Sequence, residues 1–441
     1  MINNNTQICF SFQEKKTISV NFTGGAITSD AGLLPIREFD EKIGFTQRLT
    51  EVINDKRQPY LIHHELTDLI RQRLYGIIAS YEDANDSQYL RTDPVFLILT
   101  GHTLSDSLAS QPTISRFETS IIAREVVKLN RFLLIHYLER AKKRRRVIID
   151  VDSTDDPCHG GQQLALFNGF YGQYMYHPLL FFDGTTGDLL GARLRPGNVH
   201  GSHRLGVELE RIVKGIQEHL HPKGIILRSD AAGASPHIYE IAEKSKARYL
   251  ISLPANSVLK HKVAKMVRRV KRGYKETGEP ATQYTGFWYK ARSWDKRRRV
   301  VVKIEYDGTG LKERFVVTSL RAGKAGELFR LYGERGQSEN WIKEFKNNLN
   351  GDRLSCHGYV ANAFRLLLFS CAYVLVHNFR ASVLKGTELA RATIETIRLK
   401  LIKVGALVKE TVRRLWFYLS SGWPFRPLFI QVCKNLGFDT S

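Results

Sequence analysis

The 441-residue sequence has few cysteines, and none is arranged for chemistry. Cys9, Cys158, Cys356, Cys371 and Cys433 are scattered without a CxxC pair, which argues against a disulfide framework and a structural zinc site. A reducing, cytoplasmic setting fits. Repeats and low-complexity tracts are absent. The longest apolar run, Leu366 to Val376, is interrupted by Ser370 and bounded by Arg365 and His377. As a run it is too short to cross a bilayer, so it reads as a buried helix and no membrane partner is expected. The opening MINNNTQICF lacks the basic and apolar regions of a secretion signal, so export is not expected. Acidic residues are also in deficit, with 44 Asp and Glu against 66 Lys and Arg, a net charge of +22.

The distribution of that charge says more than its total. Lys and Arg exceed Asp and Glu by 2 in residues 1–145, fall 1 short in 146–250, and exceed them by 13 in 251–330 and by 8 in 331–441. A basic excess concentrated in one half of a chain is the footprint of a polyanion-binding surface. RNA or an anionic membrane surface would attract the same charge, so the count alone does not choose the partner.

What is present divides into segments. A chain this long exceeds one hydrophobic core, so several domains are expected. Residues 1–145 read as mostly helical, with helical apolar periodicity in HHELTDLIRQRLYGIIASY and TSIIAREVVKLNRFLLIHYLERA. Between them, LASQPTISRFE offers Ser110 as a cap and Pro112 in the first turn. It places Arg116 on a recognition helix or on an ordinary surface helix. Residues 146–254 alternate strand and helix patterns, from RVIIDVDST through GIILRSD and SPHIYEIAEK to ARYLISLP, which predicts a mixed α/β sheet flanked by helices. Residues 255–325 are basic and β-rich, with a hairpin turn at Asp307-Gly308, and read as an insertion. The α/β pattern resumes over 326–380, and 381–441 reads as a helical C-terminal region.

Three acidic residues stand where α/β proteins place chemistry. Asp152 ends the first strand, Asp230 ends the strand GIILRSD, and Glu339 lies on a late helix. Clustered carboxylates repel unless protonated or bridged by cations. Hard divalent ions with oxygen ligands solve that problem, and Mg²⁺ favours phosphate oxygens as further ligands. Two such ions suit an in-line displacement at phosphorus. Asp150 shares the strand face of Asp152 because side chains alternate, so ligand and supporting roles remain open between them. Taken singly, each Asp also fits a cap, a turn or a salt bridge.

The stretch LYGERGQSENWIKEFKNNLN surrounds Glu339. On a helical wheel of about 100° per residue, Tyr332, Arg335, Glu339 and Lys346 fall near 0°, 300°, 340° and 320°. Trp341, Ile342, Phe345 and Leu349 form a neighbouring apolar stripe that docks the helix. Gly333 and Gly336 weaken the first turn, leaving Tyr332 and Arg335 in helix or approach loop. Asp-Ser-Thr at Asp152–Thr154, Asp230 within RSDAAG, and Tyr332-x2-Arg335-x3-Glu339-x6-Lys346 together resemble bacterial insertion-sequence transposases of the DDE class. They carry its Y-R-E-K signature, in the insertion sequence family 1380 group. LASQPTISRFE is similar to the N-terminal part of one such group.

This resemblance implies an RNase H-like fold with a β-rich basic insertion and an N-terminal helical region that binds DNA ends. It implies two Mg²⁺ ions, with Mn²⁺ as a substitute, on the catalytic residues Asp152, Asp230 and Glu339, Asp152 bridging both. Tyr332, Arg335 and Lys346 would then contact the DNA backbone, Arg and Lys being natural phosphate ligands. The expected activity is metal-dependent endonuclease cleavage and strand transfer on terminal inverted repeats and target DNA, by a homo-oligomer, a dimer in the synaptic complex. The expected location is the bacterial cytoplasm, at the nucleoid when bound. In the basic segment, Trp288 and Trp294 stand among Lys290, Arg292 and Lys296–Arg299, where they stack an unpaired base or fill a hairpin core. The rival readings are a catalytically silent DNA-binding regulator and another RNase H-like nuclease. The three intact acidic positions disfavour the former, and the plain alternative for the signature itself is a surface helix with Glu339 paired to Arg335 or Lys346.

Overall fold

The computed structural model describes residues 7–13 and 15–439. It divides into two units. One comprises the chain up to Ser120, Asn348–Asn350 and everything from Leu375; the other comprises Ile121–Asn347 and Gly351–Val374.

The second unit is built on an eight-stranded sheet. Its strands are β1 (Arg146–Ser153), β2 (Leu179–Asp183), β3 (Leu189–Arg193), β4 (Gly224–Ser229), β5 (Arg248–Leu253), β6 (Ala281–Tyr289), β7 (Arg298–Asp307) and β8 (Gly310–Thr318). They lie in the order β6-β7-β8-β5-β4-β1-β2-β3. β1, β2 and β3 form an antiparallel meander, β4 and β5 run parallel to β1, and the last three strands are antiparallel. The basic segment therefore does not pair with itself alone. Its hairpin strands continue the main sheet from β5, and Asp307 pairs with Gly310 across the expected turn.

Alternation along β1 sorts its two faces. Val147, Ile149 and Val151 enter a cluster with Leu209, Ile212 and Ile216 of α2 (Leu205–Leu220) and Ile238 of α3 (Pro236–Lys244). Each such side chain, fully buried, stabilises the fold by roughly 1.5–3 kcal/mol. Leu205, Leu209, Ile212, Ile216 and Leu220 are all at most 5% exposed, as their helical spacing predicts. The opposite face carries Ile148, Asp150 and Asp152, and further along the sheet Ile226, Leu250, Val301 and Val316 pack under Leu328 and Phe329 of α5 (Ala325–Gly333). The polar centre of that face is the candidate site.

The basic stretch after β5 is a 21-residue helix, α4 (Ser257–Thr277), capped by Asn256 and anchored through Leu259, Val263 and Val270. A 24-residue helix, Tyr359–Ser382, contains the apolar run. It is longer than that run and passes for a membrane span by length and composition, but 89% of its apolar window is buried inside the protein.

The first unit holds the helices of the N-terminal segment up to Gln111–Ser120, among them Leu66–Ile78, whereas the next helix, α1 (Ala123–Arg140), belongs to the second unit, which moves the expected boundary at 145 back to Ser120. Its C-terminal part is not all helical, which corrects the reading of 381–441. Ala406–Glu410 and Leu415–Leu419 form a hairpin that pairs with Ala26–Thr28, followed by the helix Arg426–Asn435. The run Leu415–Leu419 is aromatic-rich, and aromatics favour pleated surfaces.

Candidate active site

Register on neighbouring parallel strands builds the site in two rungs. Asp150 on β1 stands opposite Arg228 on β4, and Val151 opposite Ser229, so the next step along both strands brings Asp152 level with Asp230. The inner rung is neutral. Arg228 donates Nε to Asp150 Oδ1 at 2.6 Å and Nη2 to Oδ2 at 2.7 Å, with both side chains 0% exposed. Burial raises the Asp150 pKa and Arg228 opposes the rise. Gly184 is required beside this pair, because a Cβ there would stand 2.6 Å from Asp150 Oδ2 and 2.7 Å from Arg228 Nη2. Asp150 is thus occupied by a buried cation, and Asp152 is the carboxylate left at the strand end.

The outer rung is acidic. Burial, with repulsion from Asp230, pushes the Asp152 carboxyl up to about 6 against the pull of Arg335. Asp230 caps a short turn, its Oδ1 accepting from the Ala232 amide at 3.0 Å.

Arg228 also reaches the elements that carry the remaining residues. Its Nη1 donates to the Leu331 carbonyl at 2.7 Å and to Glu334 Oε2 at 3.1 Å. This ties the end of α5 and the turn before α6 (Gly336–Lys343) to the sheet. Arg335, in that turn, donates Nη1 to Asp152 Oδ2 at 2.6 Å and Nη2 to Glu339 Oε1 at 3.3 Å. Burial works against its charge, but Asp152 together with Tyr332 and Asp230 outweighs that and raises the guanidinium pKa. One cation therefore joins two of the three expected ligands, and the third repels Asp152 from the adjacent strand. Among the described residues no three His, Cys, Asp or Glu side chains gather tightly enough to hold one ion. Arg335 supplies the positive charge between Asp152 and Glu339.

The single face expected for Tyr332, Arg335, Glu339 and Lys346 is divided in the structure. Tyr332 lies in the last turn of α5, packed on Phe329 with ring centres 6.0 Å apart. With Arg335, Glu339, Ser252 and Arg314 it lines a cleft of about 350 Å³. Lys346 lies in a π-helical turn, Glu344–Asn348, that follows α6. The wider turn shifts the phase of the residues after it. Lys346 there donates to Asp155 Oδ1 at 3.0 Å and stands 3.6 Å from Asp352. The apolar stripe docks as expected, with Phe345 and Leu349 1% exposed and Trp341 against Phe182 at 5.5 Å.

The two tryptophans part company. Trp288 is 56% exposed, whereas Trp294 is 5% exposed and packs edge-on to Tyr239 and Tyr289. Trp294 therefore belongs to the hairpin core and is not a DNA contact, because its ring faces are covered. Arg116 is exposed on Gln111–Ser120 in the other unit, and Ser110 side-chain oxygen meets that of Thr113 at 3.1 Å. Arg228 was not singled out from the sequence. Its signal was the strand alternation that puts Arg228 on the face of Asp230, two residues away.

On α4, Lys260, Lys262, Lys265, Arg268, Arg269, Lys271, Arg272 and Lys275 are all exposed. Lys262 and Lys271 lie over the rings of Phe287 and Tyr306. At 1.5 Å per residue this helix is roughly 30 Å long.

The sheet, its strand-end carboxylates and the arginine-bearing turn define a mixed α/β protein with an acidic site at the ends of neighbouring parallel strands. Residues 10–438 match the family model of the Transposase DDE domain group 1, and the chain belongs to that family. Membership implies an enzyme of DNA transposition. No curated protein matches the chain.

Proposed function

We propose that this transposase binds the terminal inverted repeats of a mobile element, cuts the DNA there and joins the freed 3′ hydroxyl to target DNA. The observation that carries the reading is the acidic rung of Asp152 and Asp230 beside Arg335 and Glu339. A meander of three strands followed by two strands parallel to the first supports an RNase H-like core. The spacing Tyr332, Arg335, Glu339, Lys346 supports the Y-R-E-K group. The repelling pair Asp152 and Asp230 fits hard divalent ions, since a cation would relieve it, and the reading asks for two carboxylates on each ion, not three gathered on one. Asp152, Asp230 and Glu339 would hold two Mg²⁺, with Mn²⁺ as a substitute. Bound there, the ions would polarise the phosphate and lower the pKa of an attacking water.

The chain's own residues do the positioning. Arg335 is freed for a phosphate when its carboxylate partners take other charges, Tyr332 offers a neutral hydroxyl in the same cleft, and Lys346 holds Asp155 beside β1. Asp150 and Arg228 fix the frame through their two hydrogen bonds and those from Arg228 to Leu331 and Glu334. The test is strand cleavage and joining on the element's own end DNA, with Mg²⁺ and after its chelation. Products that vanish on chelation and return with Mg²⁺ or Mn²⁺ support the reading. Binding without products under any divalent ion turns it into that of a silent DNA-binding protein.

The Asp152 carboxyl gives a pH signature. Its proton affinity is higher in the folded than in the unfolded chain. In the metal-free protein this carboxyl therefore contributes stability that grows as pH falls through about 6 towards the ordinary carboxylate range and is lost as pH rises. Above that pH a divalent ion supplies the same relief. Mg²⁺ should raise the unfolding midpoint more at pH 7.5 than at pH 5, and an equal shift at both would show that Asp152 is not a ligand.

The helix α4 supports DNA as the polyanion and makes a separate prediction. Substituting Lys262, Lys265, Arg269 and Arg272 by Gln should lower the slope of log affinity against log salt by roughly 0.9 for each residue that meets a phosphate. An unchanged slope in a titration over salt would place the DNA elsewhere.

A further inference from the structure

The chain between β1 and β2 leaves the main sheet and forms a small one of its own. Leu166–Asn168 and Gln173–Tyr176 pair as a hairpin, and Asp156–Pro157 adds a third strand. From Pro157 to Phe182 there is no Lys, Arg, Asp or Glu, in a chain that is otherwise strongly charged. What the hairpin presents is rings. Phe170 is 90% exposed, Tyr174 62%, Phe167 52% and Tyr171 37%. Phe167 and Tyr174 are cross-strand partners with ring centres 5.6 Å apart, and Phe170 and Tyr171 meet at 5.0 Å.

The display is built. At the hairpin tip Asn168 Oδ1 accepts from the amides of Phe170 at 3.0 Å and Tyr171 at 3.3 Å, while its Nδ2 donates to the Gly197 carbonyl at 2.6 Å. Gly172, at φ 68°, closes the turn onto the Asn168 carbonyl at 2.8 Å. A hydrogen-bonded turn thus holds Phe170 in water, where it costs solvation and packs only along one edge against Tyr171. The hairpin is also tied to the acidic site: Gln173 Nε2 donates to Asp155 Oδ2 at 3.1 Å, and Asp155 is held by Lys346. Tyr171 feels that site, its hydroxyl pKa raised by burial and then by Asp155, Asp152 and Asp230.

We propose that the hairpin Leu166–Tyr176 is a stacking surface for unpaired DNA bases beside the cleavage site. The inference rests on the transposase reading and adds to it the state of the DNA that the site takes. Phosphates have nothing to bind on an uncharged face, whereas the flat face of a base, exposed only where pairing is broken, matches Phe and Tyr rings without need of charge. Continuity with the acidic rung places that base next to the strand being cut.

The test uses the full chain and duplex from the element's end in two forms, paired throughout or with the last few bases of one strand unpaired and one of them 2-aminopurine. The intact chain should bind the unpaired form more tightly and quench its fluorescence. Phe170→Ser with Tyr174→Ser should lose that preference by roughly 5- to 150-fold per stacked base and leave the paired duplex bound as before. Phe170→Tyr with Tyr174→Phe should keep it. Both rings are exposed, so these variants fold. Equal losses on the two DNAs, no loss on either, or a serine variant that changes only the oligomeric state in sedimentation would each overturn the proposal while leaving the transposase reading in place. Failure of the intact chain to bind either DNA would overturn both.

Discussion

Replacing Arg228 by methionine destabilises the catalytic unit by roughly 3–5 kcal/mol, the cost of leaving a buried carboxylate without its partner. Arg228 and Asp150 are both 0% exposed and joined by two hydrogen bonds, so neither water nor a flexible neighbour can replace the lost charge. The carboxyl answers by taking a proton. Its pKa is already raised by burial, and without the guanidinium it rises further. The deficit of the variant is therefore largest at neutral pH and narrows as pH falls. Arg228→Met with Asp150→Leu should recover most of the loss, since an apolar pair of similar volume often replaces a buried ion pair at little cost. Cleavage should not recover with it, because the bonds from Arg228 to the Leu331 carbonyl and Glu334 are still missing, and with them the anchor of the turn that bears Arg335. Urea denaturation of the four chains of this cycle measures the coupling. A loss below about 1 kcal/mol for Arg228→Met would mean that the pair is not buried as a charge pair.

Much of this geometry can be traced to local pattern. The strands around Asp152 and Asp230 follow from β-branched runs, and the placing of Asp150 with Asp152 and of Arg228 with Asp230 from alternation alone. The choice between Asp150 and Asp152 could not be made that way, because it depends on which residue of β4 stands opposite β1, a long-range register. The same limit hid the continuation of the main sheet by β6, β7 and β8, whose hairpin pattern is equally compatible with a free-standing domain. Lys346 was displaced from its expected company by a π-helical turn, which 3.6-residue periodicity does not encode. Trp294 and Trp288 lie six residues apart in similar basic surroundings, and tertiary packing alone separates the buried ring from the exposed one. The aromatic hairpin reads as an ordinary strand pair until its rings are seen to face water.

Glu339→Gln should leave the fold intact and abolish most of the reaction. Glu339 is exposed, at 56% of its side chain, and its side chain pairs with Arg335 at 3.3 Å, a helix-surface pair of about 0.3–0.5 kcal/mol. Stability therefore changes little. The amide keeps the size and hydrogen bonding of the carboxylate but not its charge, and charge is what a divalent ion needs from its third ligand. Metal-assisted stabilisation of a phosphoryl transition state is worth several kcal/mol, so cleavage and joining should fall on the order of 10³-fold. DNA affinity should hold or rise slightly, as one negative charge leaves a surface that meets phosphates. Glu334→Gln is the matched control: its side chain is 62% exposed in the turn before α6 but paired with Arg228, and it should cost far less activity. Single-turnover cleavage with both variants, alongside binding to the same DNA, separates the alternatives. If Glu339→Gln cuts as well as the intact chain, Glu339 is only the surface partner of Arg335. If Glu334→Gln fails instead, the third carboxylate is the one tied to the buried arginine, five residues earlier.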